Sequence, residues 1–283
     1  MPADGVSIED GPAAHIAAAM AAEGADRVIL CLGESAGMSG EAASRARIDL
    51  PGQQLALAEA VFATGKPVIV LLFSGRPIAM PAVFERAAAV LACWFPGSEA
   101  GNAVADILTG RVNPSAGLAV TWPRDVGQVP IAFAMRSGGR PENPADKYTS
   151  KYLDMPNSPQ FAFGHGLSYT DFTLSDPVAT PGDDAVLVEA TLANSGARAG
   201  ATTVFLFIRD PVASIARPVL ELKRFERVEL APGVSLPLSF RLTRDDFAFP
   251  GPDLAPLVEA GEIEIHLGFS ADPDGLRTTR IRL

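Results

Sequence analysis

The chain has 283 residues, of which 48% are hydrophobic and 20% charged, enough to build a sizeable core and comfortable for two domains. Its formal net charge of −10 speaks against binding nucleic acid or an anionic membrane surface, both of which call for clustered Lys and Arg. No apolar run is long enough to span a bilayer, and the Met-Pro-Ala-Asp-Gly start has neither the basic region nor the apolar run of a signal peptide.

The first half of the chain alternates strand and helix patterns. His15 to Glu23 is Ala-rich and favours helix. Val28 to Leu32 is a short apolar run that ends at Gly33, as a buried parallel strand does. Gln53 to Ala63 reads as a helix preceded by Pro51, with Leu55, Leu57, Ala58, Val61 and Phe62 as its apolar face. Pro67 to Phe73 is the next strand, Ile78 to Arg86 a short helix and Ala89 to Phe95 a third strand. Ser98 to Leu108 is a further helix, with Ser98 as its N-cap and Gly110 past its end. Leu118 to Trp122 reads as an edge strand. This order predicts a mostly parallel sheet flanked by helices on both faces. Cys31 and Cys93 each lie in a strand pattern and are expected to be buried free thiols. The only histidines are His15, His165 and His266, and no Cys/His cluster has zinc spacing, so neither a metal nor a cofactor is expected.

From Ser137 to Gln160 the chain is rich in Pro, Gly, Asn, Asp, Lys and Tyr and reads as a long connecting segment. After Phe161 the pattern is all-β. Strands are predicted over Ala185–Leu192, Ala201–Arg209, Leu220–Leu230, Ser235–Leu242 and Glu262–Gly268, separated by turn signals such as Asn194-Ser195-Gly196. Such spacing predicts a β-sandwich. The expected division is an α/β domain over 1–133, a linker over 134–163 and a β domain over 164–283.

Chemistry concentrates in one loop. After the Val28 strand, the segment GESAGMSGEAASRARIDLPGQQ holds two carboxylates, Glu34 and Glu41, and two arginines, Arg45 and Arg47. Ligands in open α/β sheets bind at the carboxyl ends of strands, where this loop begins. A shielded glutamate there is a candidate general acid. On residue types alone, the two glutamates serve equally well as solvated groups or as partners of Arg45 and Arg47. Gly33 lacks the GxGxxG spacing of a dinucleotide site.

That loop is similar to the acid/base loop of family 3 glycoside hydrolases, in the bacterial periplasmic β-glucosidase branch. TGKPVIVLLFSGRPIAM, CWFPGSEAGNAVADILTGRVNPSAGLAVTWPRDVGQVP, KYTSKYLD and FAFGHGLSYTDF resemble the same family, in the same order. VFLFIRDPVASIARPVLELKRFERVELAPG resembles its C-terminal fibronectin type III-like domain. The resemblance implies an α/β sandwich followed by a fibronectin type III-like domain. It also implies that a (β/α)8 barrel bearing the catalytic aspartate belongs to the full enzyme and is not in this chain. Many members read Glu-Gly-X-Asp-Arg ahead of a Leu-Pro. Here Glu41-Ala42-Ala43-Ser44-Arg45 stands ahead of Leu50-Pro51, which makes Glu41 the implied general acid/base. Glu34 is the second candidate, because some members use the earlier Gly-Glu.

Further expectations attach to single residues. Arg45 holds the loop, and Met38 either lines a sugar pocket or packs the loop. Trp94, with Phe95 and Glu99, is a rim residue for stacking on sugar or else core. Lys147, Tyr148 and Tyr152 approach the active side or clamp the two domains together. His165 is a turn residue. The implied substrate is a β-glucoside or related oligosaccharide, and the implied setting of the full-length relative is periplasmic or secreted. An open sheet edge in the chain alone favours homo-oligomers. A non-catalytic carbohydrate-binding module and an inactive fragment are the competing readings.

Overall fold

The computed structural model describes residues 10–283, so the Met-Pro-Ala-Asp-Gly stretch lies outside the described residues. By compactness the chain forms two units. One takes the chain up to Ala103 and adds Trp122–Pro130; the other takes Val104–Thr121 and Ile131–Leu283.

The first unit is built on three parallel strands, β1 (Val28–Gly33), β2 (Val68–Phe73) and β3 (Ala89–Ala92), in the order β1-β2-β3. Helix α1 (Pro12–Glu23) opens with Pro at its first turn, where a missing N–H costs nothing. It packs against α2 (Gln54–Phe62). Helix α3 (Pro81–Arg86) follows β2, and α4 (Ala100–Leu108), whose residues from Val104 onward fall in the second unit, follows β3. Leu30, Leu32, Val68, Val70 and Leu72 of the sheet are buried, as are Leu57, Ala58, Val61 and Phe62 of α2.

Three expectations fail at residue level here. On β1, Leu30 and Leu32 are buried while Ile29 (54% exposed) and Cys31 face out. β1 is therefore an edge strand covered on one face, and Cys31 is exposed rather than buried. Leu55 of α2 is 42% exposed, because the packed stripe runs through Leu57, Ala58 and Val61 instead. Leu118 to Trp122 forms no strand of the sheet. Leu118 instead exchanges backbone bonds with the Gly164–His165 turn (2.7 and 2.8 Å), within the second unit.

The second unit is a β-sandwich. One sheet pairs β6 (Ala185–Asn194) with β9 (Ser235–Thr243) on one side. The short strands β4 (Phe172–Leu174) and β5 (Val178–Pro181) share its other side. The second sheet contains β7 (Gly200–Arg209), β8 (Glu221–Leu230), β12 (Glu262–Gly268) and β13 (Arg277–Arg282), in the order β13-β12-β7-β8. A four-residue helix, α5 (Arg244–Phe247), and a small pair, β10 (Phe249–Pro250) with β11 (Pro256–Leu257), complete it. All pairs are antiparallel, and β6 alternates buried and outward residues along its length, as a strand covered on one face must. Leu192, Leu206, Ile208, Leu242, Ile265 and Leu267 meet between the sheets. A smaller apolar cluster gathers Phe207, Leu220 and Ala271 with Phe133 and Phe163.

Candidate active site

In a parallel sheet all carboxyl ends point the same way, so the loops leaving β1, β2 and β3 emerge on one edge. Glu34 follows β1, Ser74 and Arg76 follow β2, and Trp94 and Phe95 follow β3.

The turn out of β1 is tightly specified. Gly33 has φ 141°, and a Cβ there would overlap the backbone of Phe73, so only glycine fits. Buried Gln54 closes the strand end from α2. It accepts from Gly33 N (2.8 Å) and donates to Gly33 O (2.8 Å) and to Pro51 O (2.9 Å).

Glu34 is the most enclosed acid of the loop, its side chain 1% exposed. Arg45 Nη1 donates to its Oε1 at 2.7 Å, and Arg76 Nη1 donates to the same oxygen. Ser74 Oγ donates to Oε2 at 2.8 Å and accepts from Arg76 N at 3.1 Å. Burial pushes the Glu34 carboxyl upward. The hydrogen bonds from Arg45 and Ser74 and the two guanidinium charges outweigh that and hold it below the usual carboxylate range.

The same arginines reach further along the loop. Arg76 Nη2 donates to Ala43 O at 3.0 Å, and Arg45 Nη2 donates to Asp49 O at 3.1 Å. Ala79 N donates to Ile48 O at 2.7 Å. Asp49, in turn, is held below its ordinary pKa by the exposed Arg47 beside it.

Glu41 stands at the tip of this anchored loop and is exposed. Gly40 (φ 116°) and Ala42 (φ 58°) flank it, and Ala43 N donates to Gly40 O at 3.3 Å. This is a turn whose third residue has the left-handed backbone that glycine favours. Met38 ends a one-turn 3-10 segment, Ala36–Met38, and is half-buried. Ser39 Oγ and the Phe95 ring both lie against Gly75, where a Cβ would collide with them. Phe95 is 70% exposed. Trp94 has φ 52°, rare for a bulky residue, and packs edge-on against buried Trp122 (5.9 Å between centroids). The Trp122 indole donates to Ile78 O at 2.8 Å.

One loop edge thus brings together Glu34, Met38, Glu41, Arg45, Trp94 and Phe95. Tyr148 belongs to the second unit, where it is 69% exposed beneath Lys147 Nζ at 5.0 Å from its ring centroid. His165 stacks on Phe161 (4.6 Å) in its turn, and burial depresses its pKa. A cavity of about 50 Å³ in the second unit, lined among others by Ser115, Gly164, Thr203 and Phe205, has no titratable side chain in its wall. Among the described residues, no group of three or more His, Cys, Asp or Glu could hold a metal ion. Gln54, Ser74 and Arg76 were not singled out in sequence. Their partners lie 21, 40 and 42 residues away, and the one available signal was that all three sit in segments resembling the family, Gln54 at the end of the quoted loop segment and Ser74 and Arg76 in the SGRP stretch.

Residues 9–169 match the family model for the glycosyl hydrolase family 3 C-terminal domain, and 202–271 match that for a fibronectin type III-like domain. The chain belongs to glycosyl hydrolase family 3. Within this family it is 41% identical to a periplasmic β-glucosidase of Salmonella typhimurium, over 89% of the chain and 34% of the relative. It is 38% identical to a β-xylosidase of Formosa agariphila, over 92% of the chain and 36% of the relative. The crystal structure of a Listeria innocua β-glucosidase in complex with glucose superposes with TM-score 0.91 at 37% identity, covering 97% of the chain and 39% of that protein. The chain therefore spans about a third of the length of the curated family 3 relatives it matches.

Proposed function

We propose that this chain is the C-terminal part of a retaining β-glucosidase-like glycoside hydrolase and that Glu41 is its general acid/base. Retaining hydrolysis needs two carboxylates on opposite sides of the glycosidic bond. The nucleophilic one is expected on a (β/α)8 barrel that belongs to the longer protein. It attacks the anomeric carbon, forming a glycosyl-enzyme. Glu41 protonates the departing oxygen and then deprotonates the water that frees the sugar.

The observation that carries this reading is the contrast between the two loop acids. Glu34 is enclosed by two arginines and a serine that occupy both of its carboxylate oxygens and hold it below the ordinary pKa, so neither oxygen is turned toward a substrate. Glu41 is exposed at the tip of a loop anchored on both sides. The names of the relatives support terminal β-glucosyl or β-xylosyl substrates, and the Salmonella relative supports a periplasmic or secreted setting for the longer protein.

The test is hydrolysis of aryl β-glucosides and β-xylosides by the purified chain, alone and mixed with a family barrel domain. Alone, the chain should show negligible turnover, since one carboxylate cannot complete a double displacement. In the mixture, Glu41→Ala should lose about 100-fold or more in kcat/KM on poor leaving groups and little on activated ones, and added azide should restore kcat on the activated substrates by attacking the glycosyl-enzyme in place of water. Efficient hydrolysis by the isolated chain, or azide rescue confined to Glu34→Ala, would overturn the reading.

A further inference from the structure

We infer that Glu34 and Arg76 are positioning residues that set the place of Glu41 through the backbone of its loop. This deepens the acid/base reading and rests on it.

The geometry forms a clamp across three stretches of chain. Glu34 sits where the loop leaves β1 and collects Arg45 from the loop's far side and Arg76 from the segment after β2. Each arginine then spends a second donor on a backbone carbonyl of the same loop, Arg76 on Ala43 and Arg45 on Asp49. Ser74 fixes the carboxylate's other oxygen and caps the turn that presents Arg76. The Arg76 to Ala43 bond matters most for Glu41. Ala43 closes the turn on which Glu41 rides, through its N–H to Gly40 O at 3.3 Å. A shift of the Ala43 carbonyl therefore carries the Glu41 carboxylate with it. A planar guanidinium holds an acid and a carbonyl at once, which an ammonium at the end of a flexible stem does not reproduce.

The clamp also shields the loop. The Arg45 guanidinium is engaged by Glu34 and Asp49 and is mostly buried, so it enters a protease specificity pocket only when the clamp opens. Arg47 is exposed and needs no such opening.

Two experiments test the inference. In the first, the 283-residue chain is digested with limiting trypsin, and cleavage after Arg45 and after Arg47 is followed by mass spectrometry. Glu34→Gln and Arg76→Lys should each speed cleavage after Arg45 about tenfold, because cleavage follows the population of the open form. The thermal midpoint of Arg76→Lys should stay close to the parent's, and Glu41→Gln should leave both cleavages unchanged. A purely structural role for Arg76 would instead lower the midpoint and speed both cleavages together, which would overturn the inference. In the second, the barrel-complemented enzyme should lose about 100-fold in kcat with either clamp variant, at little change in KM, as expected for a displaced acid. Azide should not rescue that loss. If Glu41→Ala is rescued by azide while both clamp variants keep full kcat, the clamp inference fails and the acid/base reading stands. If azide rescues Glu34→Gln and not Glu41→Ala, the acid/base reading fails with it.

Discussion

Ala42 holds a φ of 58°, a backbone conformation in which a Cβ costs about 1 kcal/mol. The resemblance to family loops that read Glu-Gly-X-Asp-Arg puts a glycine at this very position, so the strain is a residue-level departure with a known remedy. Ala42→Gly should raise the thermal midpoint slightly or leave it unchanged, because relief of strain offsets the added freedom of glycine in the unfolded chain, about 0.5–1 kcal/mol. A clear drop in the midpoint on thermal unfolding would contradict the observed backbone. The sequence marked this loop as the candidate place for chemistry, since its glycines, acids and arginines lie together after an apolar run. It could not say which carboxylate was already spoken for. That depends on Arg76 and Ser74, which reach Glu34 only once β1 and β2 are side by side.

At the scale of elements, strands with a sustained apolar run or alternation were legible, and the short or polar ones were not. β6, β7, β8, β9 and β12 were read to within two residues at either end, because each carries an apolar run or alternation bounded by turn residues. β13, Arg-Thr-Thr-Arg-Ile-Arg, was missed because only Ile281 is buried and its outward positions are polar. β4 and β5 were too short to show a period. The polar stretch Thr243-Arg244-Asp245-Asp246 after β9 forms the N-cap and start of α5. Asp246 accepts from Thr243 N at 2.7 Å and takes both Nη atoms of Arg224, on β8, at 2.7 Å. One carboxylate thus caps the helix and ties it to a neighbouring strand. Asp246→Ala should destabilise the chain by about 2 kcal/mol in denaturant unfolding, whereas Asp245→Ala next to it should change little.

For the whole molecule, the ionisable groups with shifted pKa values set how stability follows pH. Glu34, Asp49 and Asp246 are held below ordinary carboxylate values. His165 and His266 are held below the ordinary histidine value, in both cases first by burial; Glu264 beside His266 pulls it up, while Arg209 and Arg280 push it down. In every case the unfolded chain binds a proton more readily than the folded one, so stability rises with pH. It should be complete between the unfolded histidine value of about 6.5 and the unfolded thiol value of about 8.5, beyond which the raised thiols of Cys31 and Cys93 reverse the trend; it should fall through a first step below the histidine value and again below about pH 4 as the carboxylates protonate. Denaturant midpoints measured between pH 3 and pH 8 check this; a maximum at the acid end would contradict it.

The clamp has a further consequence for how such a protein changes over generations. Gly33 and Glu34 at one side, and Ala43, Arg45 and Asp49 at the other, hold the loop to the sheet, while the stretch between them lays Ser39 against Gly75 and carries the exposed Glu41. Substitutions, and even small changes of length, between these moorings alter what is offered to a substrate without disturbing the apolar interior. Selection can therefore vary the side chains that the loop carries while the scaffold beneath it is inherited intact.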